Sequence, residues 1–422
     1  MSRTSIEGGL WRAVRSGTGA CFVGLSIGCG GGANEAPSPP PDLGSPDARE
    51  DTALHLDGAS DAPARPDAVG TADATDGHDA DDGLVPMFVA QGYVGRTTVS
   101  CDDGKTWVAD RSDDDAVRCF AAGGGPNCDH DGSNAMGLAY GHGVFVGTWG
   151  WGAPNSVRRS VDGVRWEHVR DGTIFSGLEY GAGRFVAIDG RPQVSTDDGK
   201  TWTTAAADLG FLGHIRRTGF AARDGGLFLA AGGENGATRG DLMLSSDGLS
   251  WRRPTTVPDA CGLGAGASSF ALGGGVIVLG HETGVVCRST DGARTWTTAS
   301  TGGALGTALL WDGAAFVGWG TVADKPVRFR SPDGVAWTTE PTAVRAPDGS
   351  TRGGPSLASV ARSDAGTYVA TNAGWMVWYE KQEFYRSRDG VTWDALAAGS
   401  FHGSHPIKFI TYGRGARSDV CR

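Results

Sequence analysis

A few side chains in this 422-residue chain have the type and placement to do chemistry. Glu179 stands in Leu178-Glu179-Tyr180-Gly181, where the corresponding stretches elsewhere carry Ala139, Ala221, Ala271, Leu310, Ala361 and Thr411. A carboxylate out of pattern can bind a ligand or act as an acid or base. More often such a group faces water or pairs with an arginine. Tyr379 beside Glu380 is a hydroxyl next to a carboxylate, but neighbours on an extended segment point opposite ways. Glycoside cleavage needs two carboxylates facing one bond. Asp189, Glu234 and Glu282 join Glu179 as candidates, and no spacing among them selects a pair. Trp149 and Trp151, then Trp375, Trp378 and Tyr379, are aromatics outside the general pattern of the chain. Exposed, they would stack on sugar faces or anchor a protein interface; the alternative is that they pack on one another.

Other constellations are weaker. His214, Arg216, Arg217, His402 and His405 read as solvated loop residues preceding strands. Asp129-His130-Asp131-Gly132 begins like a calcium loop but has no terminal glutamate. No cysteine and histidine spacing fits zinc. Gly262, Gly264 and Gly266 are followed by no helix signal, so they are no dinucleotide fingerprint. No cofactor and no metal are expected.

The elements that must position these groups are written in a repeat. A serine, an aspartate, a glycine and a tryptophan recur seven times, from Ser100, Ser160, Ser195, Ser245, Ser289, Ser331 and Ser387, at intervals of 60, 35, 50, 44, 42 and 56 residues. The aspartates are Asp102, Asp162, Asp197, Asp247, Asp291, Asp333 and Asp389. Glycine reaches positive φ cheaply, and the Ser and Asp oxygens can accept backbone N–H groups and shut a turn. Each copy follows an apolar run such as Phe88-Val89-Ala90 or Phe185-Val186-Ala187. One unit reads strand, turn, strand, loop, strand, Ser-Asp-Gly turn, strand, which is the four-stranded antiparallel blade of a propeller. The expected fold is all-β, with seven such blades over residues 85–422. The first unit opens at Met87, already in its second strand. Phe409-Ile410-Thr411-Tyr412 matches the missing first strand, so the carboxy terminus is expected to pair beside residues 87–93 and close the ring.

These turns resemble the Asp-box of bacterial sialidases and other BNR-repeat proteins, over essentially everything from residue 85 onward. The resemblance implies a propeller whose boxes are structural turns away from the ligand face, and it spans too many activities to imply one. A sialidase would need three arginines, a tyrosine nucleophile polarised by a glutamate, an aspartic acid and an early Phe/Tyr-Arg-Ile-Pro motif. That motif is missing here, and the catalytic propellers of that family have six blades. Tyr93 and Tyr379 are the tyrosines left over after the repeat positions are assigned.

Residues 1–32 carry Arg3, Arg12 and Arg15, then an apolar stretch and Gly28-Cys29-Gly30. They read as a secretory signal that resembles the lipoprotein type, with Cys29 the expected lipidated residue; the alternative is ordinary cleavage with Cys29 incidental. Residues 33–84 hold no aromatic, 7 of the 19 prolines, and 13 acidic residues against Arg49 and Arg65. That segment alone accounts for the chain's net charge of −11 and is expected to be a disordered acidic linker. The remainder is near neutral without a basic stripe, which argues against nucleic acid. Six further cysteines, Cys101, Cys119, Cys128, Cys261, Cys287 and Cys421, allow 15 pairings. Cys119 and Cys128 bracket one loop and Cys261 and Cys287 one blade boundary, while a bridge from Cys101 to Cys421 would lock the closure. The expectation is an exported, surface-tethered, monomeric binding or scaffold module for a glycan or protein ligand, touching membrane only through a lipid. The alternative is a divergent glycoside hydrolase.

Overall fold

The computed structural model describes residues 83–422 apart from 112–133, 151–154, 172–176, 189–190, 207–208, 210–213, 222–225, 234–240, 255–256, 262–266, 358, 373–382, 398–399 and 401–406. The signal segment, Cys29 and the linker up to Asp82 lie outside the described residues, as do Cys119 and Cys128.

Seven antiparallel sheets follow one another, and their innermost strands touch in a closed circle. In chain order those strands are Asn134–Gly141, Gly177–Gly181, His214–Ala221, Ala267–Gly273, Ala304–Trp311 and Ser359–Arg362, in blades two to seven. Blade one takes its innermost strand from the other end of the chain. Ile407–Ala416 pairs antiparallel with Leu84–Gly92, from Ala416 opposite Leu84 to Ile407 opposite Gly92. The expected closure is therefore present, and it begins three residues before Met87. Two sheets vary the four-strand plan. In blade four the outermost strand shrinks to a single bridge between Leu244 and Arg252. In blade seven a ribbon of Ala343–Arg345 and Thr351–Gly353 adds to the rim, the first of these pairing parallel to Thr392–Ala395.

The core is divided among the seams. Side chains alternate along each second strand, so Phe88, Phe145, Phe185, Phe228 and Phe316 face the preceding blade while Val89, Val146, Val186, Leu229 and Val278 face the next. Burying such runs is the main stabilising term, at about 25 cal/mol per Å² of apolar surface.

All seven Ser-Asp-Gly turns share one contact. Each serine hydroxyl lies 2.8–3.1 Å from an oxygen of its aspartate. Each aspartate also accepts backbone N–H groups from the far side of the turn, as Asp247 does from Leu249 at 2.8 Å and Ser250 at 2.7 Å. In six of the turns a left-handed glycine then sits on the preceding blade, and in blade five Ala293 (φ +65°) takes that place. A Cβ on Gly248 (φ +77°) would come within 2.6 Å of Val186 Cγ2, and one on Gly334 (φ +76°) within 2.8 Å of Val278 Cγ2. In three blades an arginine directly before the box serine reaches the next blade's turn: Arg159 Nε donates to the carbonyl of Asp198 at 3.1 Å, Arg288 Nε to that of Asp333 at 2.5 Å and Arg386 Nε to that of Asp103 at 2.7 Å.

The closure seam has more. Asp103 accepts from Ser363 at 2.8 Å, Thr367 at 2.6 Å and Arg386 at 2.7 Å, all in blade seven. Cys101 and Cys421 are disulfide-bonded with Cα atoms 5.5 Å apart, 320 residues apart in the chain. A second disulfide joins Cys261 to Cys287 at the boundary of blades four and five.

Candidate functional site

Because each blade is antiparallel, the Ser-Asp-Gly turns gather at one end and the loops between second and third strands at the other. The box end is spoken for. The Asp197 carboxyl is pushed up by partial burial, but hydrogen bonds from the Thr201 amide and hydroxyl and from Ser195 outweigh this and hold it at about 2. Asp291 is held at about 2 in the same way by Thr295 and Ser289. A cleft of about 360 Å³ at this end, beside Met87, Cys101, Lys105 and Tyr412, is crossed by the Asp103–Arg388 ion pair at 3.1 Å. The carboxylates here hold turns and seams together.

At the loop end the innermost strands share an irregularity. In blade one Gln91 pairs with Phe409 and Gly92 with Ile407, leaving Lys408 as an extra residue. The slip recurs at the same register at Met136 in blade two, Arg216 in blade four and Ser268 in blade five, and widens to Gly306–Ala308 in blade six. A bulge bends the strand and re-aims a side chain. Five blades thus carry inserted residues that differ from one another at the same register of the innermost strand.

Two of these residues meet. Lys408 Nζ lies 3.6 Å from Met136 Sδ across the seam between blades one and two, and 5.6 Å from the Phe409 ring centroid. Burial against these apolar groups lowers the Lys408 ammonium to about 8. One register step away, Gln91 is fully buried and its amide also faces blade two, against Gly147. Neither Gln91 Oε1 nor Nε2 has a hydrogen-bond partner. The same strand position in the flanking blades is Thr371 and Thr148, each buried with an unpartnered hydroxyl. In blades three to six it is Ile188, Ala231, Gly280 and Trp319.

The sequence candidates fare unevenly. Glu179 is half-buried on the innermost strand of blade three, opposite Val186. Its counterpart in blade four is Gly219, opposite Leu229, and not Ala221 as the sequence pattern suggests. Trp149 is 2 % exposed, packs edge-on against Trp166 at 5.6 Å and lies under the Arg158 guanidinium at 5.5 Å. The expectation of an open stacking ring fails there, because the indole folds back over Gly147 in the seam. Glu282 is exposed in the turn after Val276–His281. Trp151, Trp375, Trp378, Tyr379, Glu380, Asp189, Glu234 and the Asp129–Asp131 run lie outside the described residues. A tyrosine–glutamate contact does occur elsewhere: Tyr385 Oη donates to Glu383 Oε2 at 2.6 Å, and Arg352 of the rim ribbon pairs with Glu383. Burial and Glu383 push the Tyr385 hydroxyl well up, the reverse of what a nucleophile needs. No group of three metal-ligating side chains occurs among the described residues. Sequence reasoning missed Lys408; a single lysine inside Ile407–Ile410 was the available signal.

No family model and no curated protein matches this chain. Solved structures do. A protein from Lactobacillus plantarum is 11 % identical over 78 % of this chain and 99 % of its own, with a TM-score of 0.50. YCF48 from Cyanidioschyzon merolae is 13 % identical over 67 % of this chain and 87 % of its own, with a TM-score of 0.44. The GH74 enzyme of Niastella koreensis is 18 % identical over 61 % of this chain and 37 % of its own, with a TM-score of 0.37. At such identities likeness speaks to fold alone, and the fold is that of a seven-bladed β-propeller.

Proposed function

We propose that this chain is an exported, surface-tethered binding or scaffold module that holds a protein or carbohydrate ligand at the loop end of the ring and catalyses no reaction. The observation that carries the reading is the contrast between the ends. The box carboxylates are engaged in their own turns, while the residues inserted at the loop end differ from blade to blade. Loops and bulges on a rigid scaffold are where such modules place recognition. The signal-like residues 1–32, with Cys29, and the acidic linker support export and tethering.

A second reading, a divergent glycoside hydrolase, draws support from the Tyr385–Glu383–Arg352 contact. That trio sits at the rim of blade seven, away from the axial opening, and its tyrosine is the harder to ionise. The test is a glycan array together with a fluorogenic glycoside screen on the full chain. Binding without turnover is the expected result. Turnover that disappears in Glu179→Gln or Tyr379→Phe would overturn the reading.

A further inference from the structure

The two disulfides among the described residues differ in what can reach them, whatever ligand the ring takes up. Cys261 and Cys287 are 3 % and 2 % exposed, in a core cluster with Leu229, Leu279 and Trp296. Cys101 is half-buried and lines the cleft at the box end. Disulfides open when a thiolate attacks a sulfur it can reach. A thiolate in the cleft meets Cys101, whereas the core shields the other pair. Lys105 is exposed on the wall of the same cleft, and a neighbouring cation favours thiolate over thiol. Asp102 and Asp103 line the cleft too, but each is committed: Asp102 to Ser100 and Thr106, Asp103 to Ser363, Thr367 and Arg386.

The bridge holds a short tail. The closing strand ends at Ala416, opposite Leu84, and its ladder does not involve sulfur. Beyond it, Cys421 is fully buried against Met87, Val89 and Phe145. Asp419 pairs with Arg165 at 3.2 Å, but the two side chains are 70 % and 71 % exposed, and so exposed a pair adds little. We infer that the Cys101–Cys421 bridge is a redox latch: a small dithiol entering the cleft opens it in the folded ring, frees residues 417–422 and leaves Cys261–Cys287 intact. One thiolate of the dithiol attacks Cys101 Sγ. The bond to Cys421 breaks, and its electron pair leaves on Cys421 Sγ, which takes a proton from water. The second thiolate then displaces Cys101 Sγ, which is protonated in turn. The dithiol departs as its own disulfide, oxidised by the two electrons that reduce the bridge. An added small disulfide reverses both steps, since the ladder up to Ala416 keeps the tail beside its partner.

The test treats the full chain with dithiothreitol in mildly alkaline buffer without denaturant. Samples are quenched with N-ethylmaleimide at intervals, and the labelled cysteines are mapped by peptide mass. Cys101 and Cys421 should be labelled at least about tenfold faster than Cys261 and Cys287, because access controls the attack. Near-ultraviolet circular dichroism should hold meanwhile. Ala365→Trp, which crowds the cleft, and Lys105→Glu, which repels a thiolate, should each slow the fast labelling several-fold. Equal rates at the two bridges, or faster opening of Cys261–Cys287, overturn the latch. So does labelling of Cys101 with Cys421 protected, since the tail then stays docked. Loss of dichroism in step with labelling overturns it as well, since the bridge then opens only by unfolding. Unchanged labelling in both variants overturns the cleft as the route of attack.

Discussion

The two ends of this ring solve opposite problems with the same strands. At the box end seven turns share the serine-to-aspartate hydrogen bond, and each rests a left-handed glycine or alanine on the blade before it. At the loop end no two described bulges carry the same residue, and Gln91, Thr148 and Thr371 are buried without partners. Repetition is affordable where a turn needs only itself and its neighbour. Buried polar groups left unmet occur at the box end as well, at Trp107, Trp296 and Trp393 Nε1, but there they belong to the repeated turn, whereas Gln91, Thr148 and Thr371 differ in type from the residues at the same position in blades three to six. The contrast teaches that stability and recognition are segregated by end, and each half of that statement can be broken.

The largest effect should come from the closure. Removing the bridge between Cys101 and Cys421, by Cys421→Ser, releases a loop spanning 320 residues of sequence separation and should cost about 2–5 kcal/mol. Denaturant melts of wild type with and without reductant, beside the variant, read this directly. A loss confined to the reductant-sensitive step of wild type is expected; no loss would mean that Ile407–Ala416 and the Asp103 contacts suffice to hold the ring.

Next comes the seam contact of the turn itself. Gly248→Ala adds a Cβ at φ +77°, 2.6 Å from Val186 Cγ2, whereas Gly183→Ala adds one at φ +71° with nothing within 4 Å. The first should cost about 2–4 kcal/mol and the second about 1 kcal/mol, since only the first adds overpacking to backbone strain. Equal costs would show that the turns do not bear on their neighbours.

How far the sequence reached follows the same division. The box residues, the apolar runs and even the borrowed first strand were legible, because each is a local pattern repeated in register and one copy checks another. Lys408 was not legible, because a bulge is a property of two paired strands and shows only when Gln91 and Phe409 are seen face to face. The role of Trp149 was misread for a related reason. Its neighbours Gly147 and Arg158 look like loop punctuation in one dimension and become a slot and a lid in three. The misplaced equivalence of Ala221 came from aligning Phe220-Ala221 by composition, where pairing with Phe228 and Leu229 puts Gly219 in the Glu179 position. The arginine before the box serine was present in the text at Arg159, Arg288 and Arg386, but its target lies one blade on.

Acid should act on the box end. Asp197 and Asp291 sit at about 2 in the folded chain, against about 3.9 for an unfolded aspartate. Their folded pKa is depressed, so their contribution is complete above about pH 4 and is lost as the pH falls toward 2. Urea midpoints measured from pH 6 to pH 2 should fall through that window. Asp197→Ala should cost about 1–3 kcal/mol at pH 7 and flatten the fall. An unchanged slope in Asp197→Ala would mean that other carboxylates govern the acid response.

The smallest effect should have the opposite sign, and it tests the loop end. Thr148 is fully buried, its hydroxyl has no partner, and the same strand position in the next blade is Ile188. Thr148→Val removes the unmet hydroxyl with little change of shape and should raise stability by about 1 kcal/mol, because the desolvation cost disappears and no hydrogen bond is lost. Gln91→Leu should gain stability for the same reason. A gain in both variants would show that neither buried polar group contributes to the stability of the ring. If Thr148→Val instead destabilises the chain, its hydroxyl is bonded to buried water, and the idle polar groups of this end are structural after all.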